Sequence, residues 1–98
     1  MAHFLVEIQF KAAADQQDLL EQRAFLERIT NDRSLLLAAV LPQTPGKGLA
    51  IIRAPSIEAA KAIYSEAPLF KKGIIGWSMT EIAPTYGIPA LLEEERDE

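Results

Sequence analysis

PSIEAAKAIYSEAPLFKKGIIG, residues 55–76, holds a capped helix, a proline-bounded loop and the start of a strand in close succession. Pro55 precedes Ser56, whose hydroxyl suits the free N–H groups of a helix start, so the spacing predicts a helix from about Ile57 to Glu66 that ends as Pro68 approaches. LFKKG then reads as a loop. Residues 74–83 predict a strand with Ile75, Trp77 and Met79 on one side and Ile74, Ser78, Thr80 and Ile82 on the other.

Upstream of this stretch, Leu49 to Ala54 is mostly apolar and predicts another strand, entered through Pro45-Gly46, a pair suited to the centre of a type II turn. Before the turn, SLLLAAVL (34–41) is apolar without alternation, which predicts a strand covered on both faces. Residues 3–10 alternate cleanly. Phe4, Val6, Ile8 and Phe10 form one side of that strand, and His3, Leu5, Glu7 and Gln9 the other. Between the first two strands, Asp15 is a good N-cap, Asp18 suits the positive end of a helix, and a helix runs from about Gln16 to Thr30. Its apolar stripe is Leu19, Phe25, Leu26 and Ile29, with Gln22 near the middle, facing inward.

Strand, helix, strand, strand, helix, strand is the order of a ferredoxin-like α+β fold: a four-stranded antiparallel sheet with two helices on one face. It occupies residues 1–87 as one domain, with a C-terminal arm and acidic tail over 88–98. Two helices of this length cover one face only. An apolar second face left in water costs about 25 cal/mol per Å², so the pattern predicts a homodimer packed sheet to sheet by two-fold symmetry, a unit that higher homo-oligomers can extend.

Composition narrows the chemistry. The 98 residues are 49% hydrophobic, which argues against disorder. There is no cysteine and a single histidine, His3, so disulfides and thiolate chemistry are excluded; a metal site would rest on carboxylates, and no metal or cofactor is expected. The net charge of −4 is concentrated in EEERDE (93–98), since residues 1–92 hold nine acids and nine bases. A balanced body gives no electrostatic footprint for nucleic acid. MAHFLVEIQF has neither a basic lead nor a long apolar run, so no secretory signal or membrane span is expected there, and the expected location is cytoplasmic.

Several side chains are candidates for chemistry. Glu7 lies on the face expected to meet a second subunit, where partial desolvation would favour a proton acceptor; the plainer reading is a hydrogen-bonded interface carboxylate. His3, on the same face, would pair with it, against the plainer reading of a solvent-exposed strand end. Gln22 can orient a carbonyl or hydroxyl of a ligand, or be a buried amide satisfied by backbone. Arg23 offers a two-point fork to a carboxylate, or a cationic head in solvent. Phe70 and Trp77, with Tyr64, Phe25 and Met79, would line a pocket for a flat ring or pack as core. Lys72 would guide an anionic ligand or belong to a solvated loop.

The run from the first helix through SLLLAAV and the hairpin to PSIEAAKAIYSEAPLFKKGII resembles the YCII-related family of dimeric α+β barrel proteins over about residues 3–86. The signature segment reads Ala67-Pro68-Leu69-Phe70-Lys71-Lys72-Gly73 here, and Pro55-Ser56-Ile57-Glu58 followed by Pro68-Leu69-Phe70 is also similar to the muconolactone isomerase family, as far as Phe70. The resemblance implies a dimeric barrel with a cleft in which a first-helix histidine and a loop aspartate act as acid and base, some relatives being lyases on small hydroxylated rings. At those places this chain has Gln22, with Arg23 beside it, and Ala67. Neither Gln nor Ala exchanges a proton near neutral pH. Three readings follow. One is a divergent lyase or isomerase on a small cyclic or aromatic acid, using Glu7 or His3. The second is a non-catalytic small-ligand-binding or accessory protein, and the third is a structural partner of a larger enzyme.

Overall fold

A computed structural model describes residues 1–87; the arm and tail assigned to 88–98 lie outside the described residues. The elements are β1 (Ala2–Phe10), α1 (Gln16–Asn31), β2 (Leu35–Val40), β3 (Lys47–Ala54), α2 (Ile57–Tyr64), α3 (Pro68–Lys71) and β4 (Ile75–Ile82). The strands form one sheet in the order β2-β3-β1-β4, each adjacent pair antiparallel. This is the ferredoxin-like α+β fold. Among the described residues no helix is long and apolar enough to cross a membrane.

Register decides which side chains share a face. Phe4 lies opposite Ile52, Val6 lies between Ala50 and Met79, and Ile8 lies between Gly48 and Trp77. Phe4, Val6, Ala50, Ile52 and Ile75 are buried with Phe25 and Ile29 of α1 and Ala60 and Tyr64 of α2, so this is the helix-covered face. The opposite face carries Leu5, Glu7 and Gln9 of β1 with Leu49 and Ile51 of β3, Leu37 and Ala39 of β2, and Ser78 and Thr80 of β4. It is not uniformly apolar. A greasy band on the β2–β3 side gives way to polar residues along Glu7, Gln9, Ser78 and Thr80.

Local signals explain the element ends. Asp15 closes a full capping box on α1: its carboxylate accepts from the Asp18 N–H at 2.8 Å, and its own N–H donates to the Asp18 carboxylate at 3.1 Å. Ser56 accepts from the Ala59 N–H at 3.1 Å to start α2. Pro45-Gly46 forms the expected turn, with Gly46 at φ +82 and the Lys47 N–H bonded to the Thr44 carbonyl.

Three expectations are corrected. LFKKG is not an open loop: Pro68 fits the first position of a helical turn, whose N–H is unneeded, so α3 forms there and α2 ends at Tyr64, before Glu66. Within the single chain SLLLAAVL is not covered on both faces. A bulge between Leu35 and Leu37 leaves Leu36 without a register partner and sends those two leucines to opposite faces, which produces an apolar run in a strand that is largely exposed beyond Leu35. Leu19 does not join the buried stripe of α1; it is 49% exposed. The sheet below it is hollow.

Candidate ligand cleft

The hollow arises from small residues on β2 and β3. On the helix-covered face Ala38 lies opposite Ala50, and Val40 lies opposite Gly48, which lies opposite Ile8. A Cβ at Gly48 would sit 2.8 Å from the Ala39 carbonyl oxygen, so the backbones approach too closely there for a larger residue. With so little volume on the sheet, α1 bridges over a cleft of about 510 Å³, within the usual size of small-molecule sites. Leu19 and Leu26 form its roof, Phe10, Ala38 and Val40 line its sheet side, and Tyr64 and Leu69 close its inner end.

Few polar groups face this apolar space. Gln22 enters from the roof and is buried; its Oε1 accepts from the Leu69 N–H at 3.2 Å, tying α1 to α3. That bond realises the expected backbone-satisfied amide. Arg23 is exposed and lies beside Gln22 on the lining, and Lys47 lines the cleft from the start of β3. Burial pushes the Tyr64 phenol up to about 12, so it stays neutral and can donate a hydrogen bond at ordinary pH. Ala67 is fully buried two residues before the Leu69 N–H that Gln22 engages. Among the described lining residues there is no carboxylate and no imidazole.

The other candidates are not brought to this cleft. Phe70 and Trp77 pack against each other at 5.2 Å, Trp77 meets Tyr64 edge-on at 5.9 Å, and Tyr64 meets Phe25 likewise at 5.9 Å. This aromatic row fills the β4 side. Lys72 lies outside this cleft and bridges Asp18 at 2.6 Å and Glu21 at 2.7 Å on α1. Those bonds hold both carboxyls below their ordinary range and raise the lysine above its own.

Glu7 is exposed on the helix-free face, beside Gln9, Lys47 and Ser78 in a second groove of about 400 Å³, which shares Ile8, Lys47 and Gly48 with the cleft under α1. The sheet stands between it and the α1 cleft. His3 is buried, contrary to a fraying strand end, and is paired on both sides, with Arg53 of β3 and Ile82 of β4. Four residues of strand, about 13 Å, separate it from Glu7, so the two do not meet within one chain. Among the described residues no group of three or more His, Asp or Glu side chains could hold a metal ion.

The residues missed by sequence reasoning are the ones that make the space. Ala38 and Gly48 are the signal that could have found it, small residues whose shared place on the sheet emerges only once register is known.

No family model matches the chain, and no curated protein matches it. Solved structures do. Muconolactone isomerase superposes with a TM-score of 0.70 at 15% identity, over 85% of this chain and 90% of that one. The 5-chloro-2-hydroxyhydroquinone dehydrochlorinase TftG of Burkholderia phenoliruptrix AC1100, in complex with 2,5-dihydroxybenzoquinone, superposes with a TM-score of 0.60 at 13% identity, over 87% of this chain and 95% of that one. At such identities the likeness is one of fold.

Proposed function

We propose that the cleft under α1 binds a small cyclic or aromatic acid. One observation carries this reading: an apolar space of about 510 Å³ whose polar lining includes Arg23, Lys47 and the Gln22 amide, and no described carboxylate. A flat ring fits between Leu19, Leu26 and the small residues of the sheet, and its carboxylate would find the cations at the mouth. The lining supports binding better than proton transfer, since neither an amide nor a neutral phenol pushed up to about 12 is a base near pH 7. The chain is then a cytoplasmic small-ligand-binding protein, with a second copy packed on the Leu5, Leu37, Leu49 and Ile51 band of the helix-free face.

A second reading, a divergent lyase or isomerase on a small ring acid, draws support from the activities of the two proteins of like fold, an isomerase and a dehydrochlorinase. In that reading Glu7 or His3 carries the proton. Both lie on the helix-free face, so the reacting ring would sit between two copies and not under α1.

A panel of ring carboxylates, lactones and hydroxylated quinones, screened by thermal unfolding, tests the proposal. A ligand at about one hundred times its Kd adds about 2.7 kcal/mol, which raises Tm by roughly 10–20 °C in a domain this small. Ring acids should shift Tm, and the shift should shrink in Arg23→Met. A panel with no shift ends the ligand reading; turnover abolished by Glu7→Gln with binding intact would favour the enzyme.

A further inference from the structure

We infer that the inner end of the cleft under α1 recognises a hydrogen-bond-accepting oxygen through the Gln22 Nε2 and the Tyr64 hydroxyl, so that the ligand is a ring acid with an oxo or hydroxyl oxygen across the ring from its carboxylate. The inference rests on the reading of this cleft as a ligand site. The Gln22 amide has one possible orientation. The Leu69 N–H can only donate, so the atom 3.2 Å from it is Oε1, and the trigonal amide turns Nε2 with its two N–H groups the other way. Gln22 lines the cleft and is 8% exposed, yet its Nε2 is neither sealed off nor hydrogen-bonded to any described residue. Its donors therefore open on the cleft.

Tyr64 repeats the pattern. Its ring is wedged between Phe25 and Trp77, and its hydroxyl, likewise neither sealed off nor bonded to a described residue, belongs to a side chain that lines the same cleft. Burial, with no hydrogen bond behind it, pushes the phenol up to about 12, so the hydroxyl keeps its proton. Gln22 is anchored at Leu69, which closes the inner end together with Tyr64, so both donors stand at that end, walled by Leu69 and Ile75. Apolar walls strengthen a hydrogen bond made there and penalise a ligand atom that leaves the donors unmatched. An N–H group on the ligand would face the Gln22 donors, and a methyl group would displace water without replacing its bonds. An accepting oxygen answers both groups. Arg23 and Lys47 stand at the mouth, so the two ends of the ligand differ in chemistry, anionic outside and neutral and accepting inside.

Carboxylates of one shape but different far ends test this, by titration calorimetry on the full chain. Isonicotinate N-oxide only accepts at its far end, para-hydroxybenzoate accepts and donates, para-aminobenzoate has a ring-conjugated nitrogen that donates, and para-methylbenzoate does neither. The N-oxide and the phenol should bind about tenfold tighter than the amino and methyl compounds, the size of one or two neutral hydrogen bonds. Tyr64→Phe keeps the aromatic row and should lose part of that preference. Gln22→Glu keeps an oxygen for the Leu69 N–H but sets a carboxylate oxygen where the donors stood, and should abolish the preference. Equal affinity for all the carboxylates would leave the ring-acid proposal standing and overturn this inference, as would a preference that survives both substitutions. If no carboxylate binds, pyridine N-oxide decides, since it carries the accepting oxygen without the acid. It should shift the Gln22 side-chain amide signals in a proton–nitrogen NMR spectrum, assigned by their loss in Gln22→Glu. A shift would uphold the accepting end while the ring-acid proposal falls; no shift would end both.

Discussion

The two halves of this sheet share one set of helices and differ in what the strands offer them. On the β1–β4 side Tyr64 is buried between Phe25 and Trp77, Phe70 extends the row, and the space beneath α2 is filled. On the β2–β3 side Ala38 and Gly48 leave the Leu19 end of α1 above the cleft, and Leu19 and Val40 are exposed within the single chain. One half spends its apolar side chains on cohesion, and the other keeps them available. Stability and binding should therefore separate along the sheet.

The sharpest way to break that contrast is truncation of the two roof and core residues in turn. Tyr64→Ala removes a ring that is 2% exposed, at a cost of about 3–5 kcal/mol. Leu19→Ala, half in water above the hollow, should cost under about 1 kcal/mol. Urea denaturation measures both, and equal losses would show that the hollow half is packed after all.

Enlargement should give the mirror result. Ala60→Val adds volume where there is no room and should lose about 1–3 kcal/mol. Ala38→Val faces the cleft, and its change in midpoint should stay within about 0.5 kcal/mol. Gln22 joins the two halves: Gln22→Leu leaves the buried Leu69 N–H without its acceptor, costing about 1–3 kcal/mol. Gln22→Glu keeps an oxygen there and should recover part of the loss.

The smallest effect concerns the exposed clamp from α1 to the residue after α3. Asp18 and Glu21 lie below their ordinary values of 3.8 and 4.5, first through their hydrogen bonds to Lys72. Folded values that are depressed contribute stability above those ordinary values and lose it as pH falls through the lower, folded ones. Lys72→Met should thus flatten the acid limb of a stability profile below about pH 4.5, and added salt should mimic it. At the other end, the Tyr64 phenol, pushed from 10.0 up to about 12, contributes fully below pH 10 and less as pH climbs toward 12. The raised Lys72 likewise contributes below its ordinary 10.5 and loses that contribution as pH rises through its higher folded value. The clamp lies at the surface, where solvent screens it, so these slopes should be shallow.

How far the sequence spoke depended on whether the signal was local. Asp15, Ser56, Pro45-Gly46 and the alternation from Phe4 to Phe10 each act within a few residues, and element order and type follow from them. The inward amide of Gln22 was also legible, because helical period alone places it. Non-local facts were hidden. The Leu35/Leu37 bulge makes an exposed edge strand look like a buried one, and the helical turn at Pro68 depends on the Schellman-type bonds of Gly73 and Ile74 back to Phe70 and Leu69. Lys72 reaches residues 51 and 54 positions away, which no window could show. The cleft was the least visible of all, being made of side chains that are absent.

Titration calorimetry of an aromatic carboxylate against the native chain and Ala38→Trp tests the ligand cleft most directly. The indole at position 38 should occupy the hollow without disturbing the aromatic row. The account predicts one site per chain in the native protein and loss of binding in Ala38→Trp with its unfolding midpoint preserved. Equal affinity in the two proteins would place the ligand elsewhere and contradict it.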